Sequence, residues 1–320
     1  MKRRDFISKT AVSASMLGLF PANLSSIGID KLRGKIEKRT LGRTGEKLSF
    51  IGFGGIVVKD ATTEQASARV KEAIDYGVNY FDVAPTYGNA EEMLGPALEP
   101  YRRDVFLACK TNKRTADDAR RELEESLTKL RTDHFDLYQL HAVTRLEDVE
   151  TIFSKNGAMK AFLKAREEGL VKYLGFSAHS VEAALALMDR FDFDTILFPF
   201  NYACWYNGNF GPQVLETAKQ KQMGILALKA MAERPWHEDD QRNYEKAWYK
   251  PLDKEEDALK GLRFTLSHPI TAAIPPGDEN LFSMALRLSK DIRPMSADEV
   301  LEIKERAMQT DPLFSYQGVG

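Results

Sequence analysis

The chain has 320 residues, 43% hydrophobic and 29% charged, which is enough apolar material for a large core and the ordinary balance of a soluble folded protein. A formal net charge of −2 and a pI near 6.3 give no electrostatic footing for nucleic acid or an anionic membrane surface. Two cysteines, Cys109 and Cys204, with no CxxC or Cys/His spacing, exclude a disulfide framework and a recognisable metal site.

Residues 2–9, Lys-Arg-Arg-Asp-Phe-Ile-Ser-Lys, are basic, and residues 11–20 are all small or apolar. Spanning a bilayer takes about 20 apolar residues, so this stretch predicts an export signal over residues 1–30 rather than a stable membrane anchor. Arg3-Arg4 followed by Asp5, Phe6 and Ile7 resembles the twin-arginine signal. That resemblance implies a periplasmic protein, exported already folded, with the twin-arginine machinery as a partner. The plainer alternative is a basic tail beside a chance apolar run.

From residue 38 to 320 the chain reads as one domain. Residues 38–48 hold two glycines between short extended pieces and predict a β-hairpin, which would plug the amino-terminal end of a barrel. Residues 48–55 predict a first strand ending on Gly54 and Gly55, where the missing side chains let a ligand approach the backbone. Helices are then predicted at 64–75, 90–98, 117–130, 159–168, 181–189, 213–220, 254–266 and 278–289. They alternate with strands at 80–83, 105–110, 137–141, 173–176, 195–200, 224–228 and 271–274. Repeated strand–helix units imply parallel pairing through right-handed crossovers, and eight strands close a ring. The fold class is therefore α/β: a (β/α)8 TIM barrel with an N-terminal β-hairpin and an extra C-terminal helix at 297–308, capped by Ser296. Residues 142–156 and 232–252 form the long loops at the mouth. The second of these carries Trp236, Tyr244, Trp248 and Tyr249, which suits a lid.

Several strands finish on one polar group. Asp82 ends an apolar run, Tyr87 follows five residues later on a loop, and Lys110 and His141 end the next two strands. At the carboxyl ends of parallel barrel strands these four groups would converge on one mouth. Taken singly, each has a plainer reading. Asp or Lys would be half of a structural ion pair, Tyr87-Gly88 a turn, and His141 a satisfied buried histidine. His134 and His268 read as structural, and His237 sits on the lid.

Arg39-Thr-Leu-Gly-Arg-Thr-Gly45, Gly52-Phe-Gly-Gly55, Phe81-Asp-Val-Ala-Pro-Thr-Tyr-Gly88, Lys110-Thr-Asn112, Leu140-His141 and Gly175-Phe-Ser177 together resemble an aldo-keto reductase, from about residue 38 to about residue 288. The resemblance implies an NAD(P)-dependent oxidoreductase that moves a hydride between a nicotinamide and an aldehyde, ketone, sugar or the corresponding alcohol. Tyr87 matches the family's proton donor. Lys110 matches the cation that lowers the phenol pKa from its usual value of about 10. Asp82 would be the counter-charge of Lys110, and His141 would orient the substrate oxygen.

The cofactor positions match less closely. Ser177 stands where the family binds the nicotinamide carboxamide, but Ala178 replaces the usual asparagine, leaving His179 as a helper. Leu197 stands where glutamine is usual, with Asn201 as a partial substitute, and Phe200 or Tyr202 would stack on the nicotinamide. Leu228, Lys229 and Met231 match a segment near the pyrophosphate, with Lys229 either a phosphate partner or a solvated cation. After the eighth strand many members carry Ile-Pro-Lys-Ser and then an arginine, which clamp the 2′-phosphate of NADPH. This chain has Ile274, Pro275, Pro276, Gly277, Asp278, Glu279 and Asn280, with Phe282 at the arginine position. The acids suit a free ribose hydroxyl and would repel a phosphate, while the amides of the following helix suit a phosphate, so the balance tips slightly toward NADH with the choice between NAD and NADP left open. These departures also admit an alternative: a non-catalytic nucleotide- or carbohydrate-binding protein on a reductase-like barrel.

Overall fold

The computed structural model of the protein describes residues 35–318, so the export signal expected at residues 1–30 lies outside the described residues. A hairpin opens the described chain, β1 (Lys38–Thr40) pairing antiparallel with β2 (Lys47–Ser49). Gly42, in the turn, has φ of 49° and lies so close to the neighbouring backbone that a Cβ would stand 2.3 Å from the amide nitrogen of Gly224. Only glycine fits there. Arg43 donates to the carbonyls of Lys221, Asp192 and Phe193, just before two barrel strands begin, so the hairpin stoppers the amino-terminal end as its sequence predicts.

The chain continues through β3 (Phe53–Gly54), α1 (Thr63–Asp75), β4 (Tyr80–Asp82), α2 (Ala90–Leu98), β5 (Phe106–Thr111), α3 (Ala116–Lys129) and β6 (Phe135–Val143). Next come α4 (Leu146–Phe153), α5 (Ala158–Glu167), β7 (Val171–Ala178), α6 (Val181–Arg190), β8 (Thr195–Pro199), α7 (Tyr202–Tyr206), α8 (Pro212–Gln220) and β9 (Gly224–Leu228). A second hairpin, β10 (Ala232–Pro235) with β11 (Tyr249–Pro251), precedes α9 (Glu255–Leu266), β12 (Ala272–Ile274), α10 (Glu279–Leu288) and α11 (Ala297–Met308). Strands β3 to β9 and then β12 lie side by side in one parallel sheet. The isolated bridge between Ile51 and Ala273 brings its edges together, giving a nearly closed eight-stranded barrel.

The elements differ from expectation in four places, one of them the unexpected short helix α7. The first strand shrinks from residues 48–55 to β3 and the Ile51 bridge. Residues 142–156 are not all loop, because Val149 and Ile152 bury one face of the short helix α4. Residues 232–252 are framed by the β10–β11 hairpin rather than being structureless. No helix among the described residues is long and apolar enough to cross a membrane.

Both faces of the barrel strands are buried, so each strand reads as an apolar run, yet alternate residues serve two separate cores. Tyr80, Phe106, Ala108, Leu137, Leu197 and Leu226 point inward and pack with Leu41 and Leu48 of the first hairpin. Phe81, Leu107, Cys109, Tyr138, Phe176 and Phe198 point outward beneath the helices. The interior is a packed core rather than a pore. The same two-residue period carries upward along the inward face. It puts Asp82 above Tyr80, Lys110 above Ala108, and Gln139 and then His141 above Leu137.

Candidate active site

Lys110 is fully buried, and its ammonium pairs with Asp82 Oδ1. Nζ also donates to the Val83 carbonyl and to the Tyr87 hydroxyl, each at 3.3 Å. Asp82 Oδ2 accepts from Gln139 Nε2 at 3.0 Å and from the Tyr80 hydroxyl at 3.2 Å. A buried ion pair is tolerable only when its remaining hydrogen-bonding capacity is met, and the inward parity of Tyr80 and Gln139 meets it. His141 stands edge-on to Tyr87, with ring centroids 5.7 Å apart at 84°. Its Nδ1 lies 3.4 Å from Thr86 Oγ1, and its carbonyl accepts from Arg114 at 2.7 Å. The structure thus brings together Asp82, Tyr87, Lys110 and His141.

Burial pulls the Lys110 pKa down, but the carboxylate of Asp82 and the hydroxyl of Tyr87 more than offset it, so the ammonium is held above the usual lysine value. Burial, with the Lys110 charge next, pushes the His141 imidazole down to about 2, which leaves it neutral throughout the physiological range. For Tyr87 the sequence predicts a lowered pKa, and the structure reverses the sign. Burial raises the phenol by more than Lys110 lowers it, so the net shift is upward. A partly exposed phenol that keeps its proton suits a donor, and a cation 3.3 Å away stabilises the phenolate once the proton has left.

These groups open onto a cleft of about 240 Å³. Asp82, Tyr87 and His141 are joined on its wall by Gly54 and Ile56, by His179, Leu228 and Lys229, and by Ile274, Pro275, Pro276 and Gly277. Lys246, Trp248 and Tyr249 come from the 232–252 insertion. A larger surface groove of about 880 Å³, lined by Arg102, Arg131 and His134 among others, holds none of the four groups. Its charges pair with one another, Arg102 with Asp136 at 3.1 Å and Arg131 with Glu99 at 3.2 Å.

A model of the aldo/keto reductase family matches residues 50–265, which include all four groups. The chain belongs to the aldo/keto reductase family. It is 30% identical over 215 residues to L-galactose dehydrogenase of Arabidopsis thaliana, a match covering 62% of this chain and 66% of that one, just under two thirds. It is 31% identical over 249 residues to aldo-keto reductase YhdN of Bacillus subtilis (strain 168), covering 69% of this chain and 72% of the relative. The structure of an aldo-keto reductase from Klebsiella pneumoniae in complex with NADPH matches with a TM-score of 0.66 at 20% identity, over 88% of this chain and 98% of that one. That last likeness is one of fold.

In this aldo/keto reductase the residues expected at a cofactor divide into two groups. Gly54, Leu228, Lys229, Pro276 and Gly277 line the cleft, and so does His179. Lys229 has φ of 68°, and its ammonium lies 4.9 Å and 4.4 Å from the ring centroids of Trp248 and Tyr249. It makes no ion pair among the described residues, and burial lowers its pKa to about 8. The remaining residues lie elsewhere. Gly55 packs on Val83, where a Cβ would approach within 2.7 Å. Ser177 Oγ is buried and accepts the Ala142 amide at 2.8 Å. Asn201 caps α7 through the Cys204 amide at 2.8 Å, leaving its Nδ2 buried without a partner among the described residues. Met231 is fully buried, Asn280 is exposed, and Asp278 is engaged in capping α10 through the amides of Asn280 and Leu281.

The two aromatics expected to stack on a nicotinamide lie away from the cleft. Phe200 and Tyr202 are buried against Phe198 and Phe264 and line no part of the cleft. Trp248 and Tyr249 are the aromatic walls instead. Leu197 belongs to the barrel interior, and Phe282 packs edge-on against Phe53. His134, His237 and His268 are engaged with Asp133, Asp311 and the Phe264 carbonyl respectively. Sequence reasoning missed Tyr80 and Gln139, although each sits two residues before a singled-out group in a buried strand, which is the signal that would have found them. The donor set fits an anionic dinucleotide, because the cleft runs from the phenol and imidazole past an ammonium with no carboxylate to the Pro276–Gly277 backbone, with a second ammonium, that of Lys246, on its wall.

Proposed function

We propose that this aldo/keto reductase interconverts a small carbonyl compound and its alcohol, with Tyr87 as the proton donor in the reducing direction and NADP(H) as the cofactor. The observation that carries the reading is the buried relay from Tyr80 and Gln139 through Asp82 and Lys110 to the Tyr87 hydroxyl, which ends on the cleft. The bound nicotinamide supplies or accepts the hydride. Tyr87 gives its proton to the oxygen that becomes an alkoxide, Lys110 stabilises the phenolate left behind, and Asp82 keeps Lys110 charged. His141, neutral, positions the same oxygen by hydrogen bonding. Leu228, Lys229, Pro276 and Gly277 hold the dinucleotide. The likeness to an L-galactose dehydrogenase favours a sugar or a related polyol, and the NADPH complex of a relative in fold favours the phosphorylated cofactor.

The test is nicotinamide absorbance with a panel of aldehydes, ketones and sugars. Tyr87→Phe should lower kcat by about 10²–10⁴-fold while NADPH still binds. Turnover undiminished in the variant would remove Tyr87 from the chemistry, whereas nucleotide binding without turnover in wild type, with the biological role intact in Tyr87→Phe, would favour the non-catalytic reading. Arg3-Arg4 and the apolar run after them support a second part of the proposal, that the protein is exported to the periplasm folded, with its nucleotide already bound.

A further inference from the structure

The wall of the cleft after β12 offers a phosphate nothing basic of its own. Residues 274–280 contain no lysine or arginine, Phe282 is in the core, and the Asp278 carboxylate is turned to the amides of its own helix. An acid in such a place ordinarily accepts a ribose hydroxyl and turns away a 2′-phosphate. Two cations from distant parts of the chain change that balance. Arg69, on α1, and Lys246, on the 232–252 insertion, both donate to the Val57 carbonyl, at 2.8 Å and 3.2 Å. They also take one oxygen each of Glu279, Arg69 Nη2 to Oε1 at 3.1 Å and Lys246 Nζ to Oε2 at 3.3 Å. The two side chains are 18% and 19% exposed, so they are held rather than waving in solvent, and Lys246 lines the cleft directly.

We infer that Arg69 and Lys246 form the recognition site for the 2′-phosphate of NADPH, with Glu279 as the internal anion that holds the pair in register. The inference rests on the proposed nicotinamide-dependent activity. The Asp278 charge is offset by the amides at the start of its own helix, so Arg69 and Lys246 against Glu279 leave a positive excess, which a phosphate monoester, with close to two negative charges and three acceptor oxygens, is suited to meet. The guanidinium adds a planar fork that matches phosphate geometry. Direction follows from the chemistry. The nicotinamide end must lie at Tyr87 and His141, so the adenosine end runs past Gly277 toward α10, where Glu279 begins the helix.

The experiment measures the dissociation constants of NADPH, NADH, 2′,5′-ADP and 5′-AMP through the fluorescence of Trp248 on the cleft wall, with calorimetry as a cross-check. It compares wild type with K246M, R69M and E279Q. Wild type should prefer NADPH. Losing one charge-assisted contact should weaken NADPH and 2′,5′-ADP by about tenfold or more while leaving NADH and 5′-AMP within about twofold. E279Q, in which one accepting oxygen becomes an amide NH2, should loosen the pair and weaken NADPH while leaving NADH within about twofold. Equal weakening of NADPH and NADH, no weakening of either, or a wild-type preference for NADH would overturn the assignment and leave the proposed activity standing. If wild type binds neither nucleotide, the activity falls and this site falls with it. Should R69M fail to fold by circular dichroism, K246M, altered only on the insertion, decides the matter with E279Q.

Discussion

A lysine without exposed surface keeps its charge only through its neighbours, and Lys110 keeps it through Asp82, whose second oxygen is in turn held by Gln139 and Tyr80. Strand parity made the first pair legible in the sequence, since polar groups two residues above an inward apolar residue must face the mouth. The sign of the Tyr87 shift was not legible, because burial sums over atoms from several strands and no single spacing encodes it. One pH dependence follows at this scale. Neither His141, pushed down to about 2, nor Tyr87, raised above the ordinary phenol value, titrates between pH 6 and 9, whereas Lys229, lowered to about 8, does. As pH rises through about 8 the Lys229 charge is lost, so the NADPH dissociation constant should climb between pH 7 and 9, with kcat at saturating nucleotide flat. In Lys229→Met the climb should disappear. A dissociation constant already level with pH in wild type would mean that this ammonium does not hold a phosphate.

Helices of nine residues or more were legible to within a residue or two from their apolar period, while α4 and α7, at eight and five residues, fell below what a period can signal. Ser296 was read as the cap of α11, and it is one half of a capping box with Glu299. The second duty of Glu299 was hidden in the sequence. It takes both terminal nitrogens of Arg263 on α9 at 2.6 Å, tying the last helix to the barrel, and Arg263 is itself only 5% exposed. That hydrogen bonding, with the Ser296 amide next, lowers the Glu299 carboxyl from its usual 4.5 to about 2. A depressed acid stabilises the fold fully above its unfolded pKa and loses that contribution as pH falls through the folded value. Glu299→Gln should therefore melt below wild type at neutral pH, and the gap in Tm should narrow as pH falls from 4.5 toward 2. A gap independent of pH would show that the ion pair is not what holds α11.

For the whole molecule, eight alternating units and a glycine-bearing hairpin were enough to specify the barrel, because strand, helix and crossover signals agreed. The cofactor wall was less legible, since its charges come from segments remote in sequence: Arg69 and Glu279 meet although 210 positions separate them. Contacts of that span leave no local pattern. The proposed export has a test at this scale. Replacing both Arg3 and Arg4 by lysine should confine the protein to the cytoplasm on cell fractionation, and exported wild type should carry nucleotide in roughly equimolar amount by mass spectrometry. Export that survives the double substitution, or an exported protein free of nucleotide, would end that proposal. With Leu41, Leu137, Leu197 and Leu226 filling its bore and Arg43 pinned across its floor, the barrel is a blind shaft. In the proposed reaction, then, a proton given up by Tyr87 returns from the cleft side, past Trp248, where substrate also enters, so reprotonation and product departure share that opening.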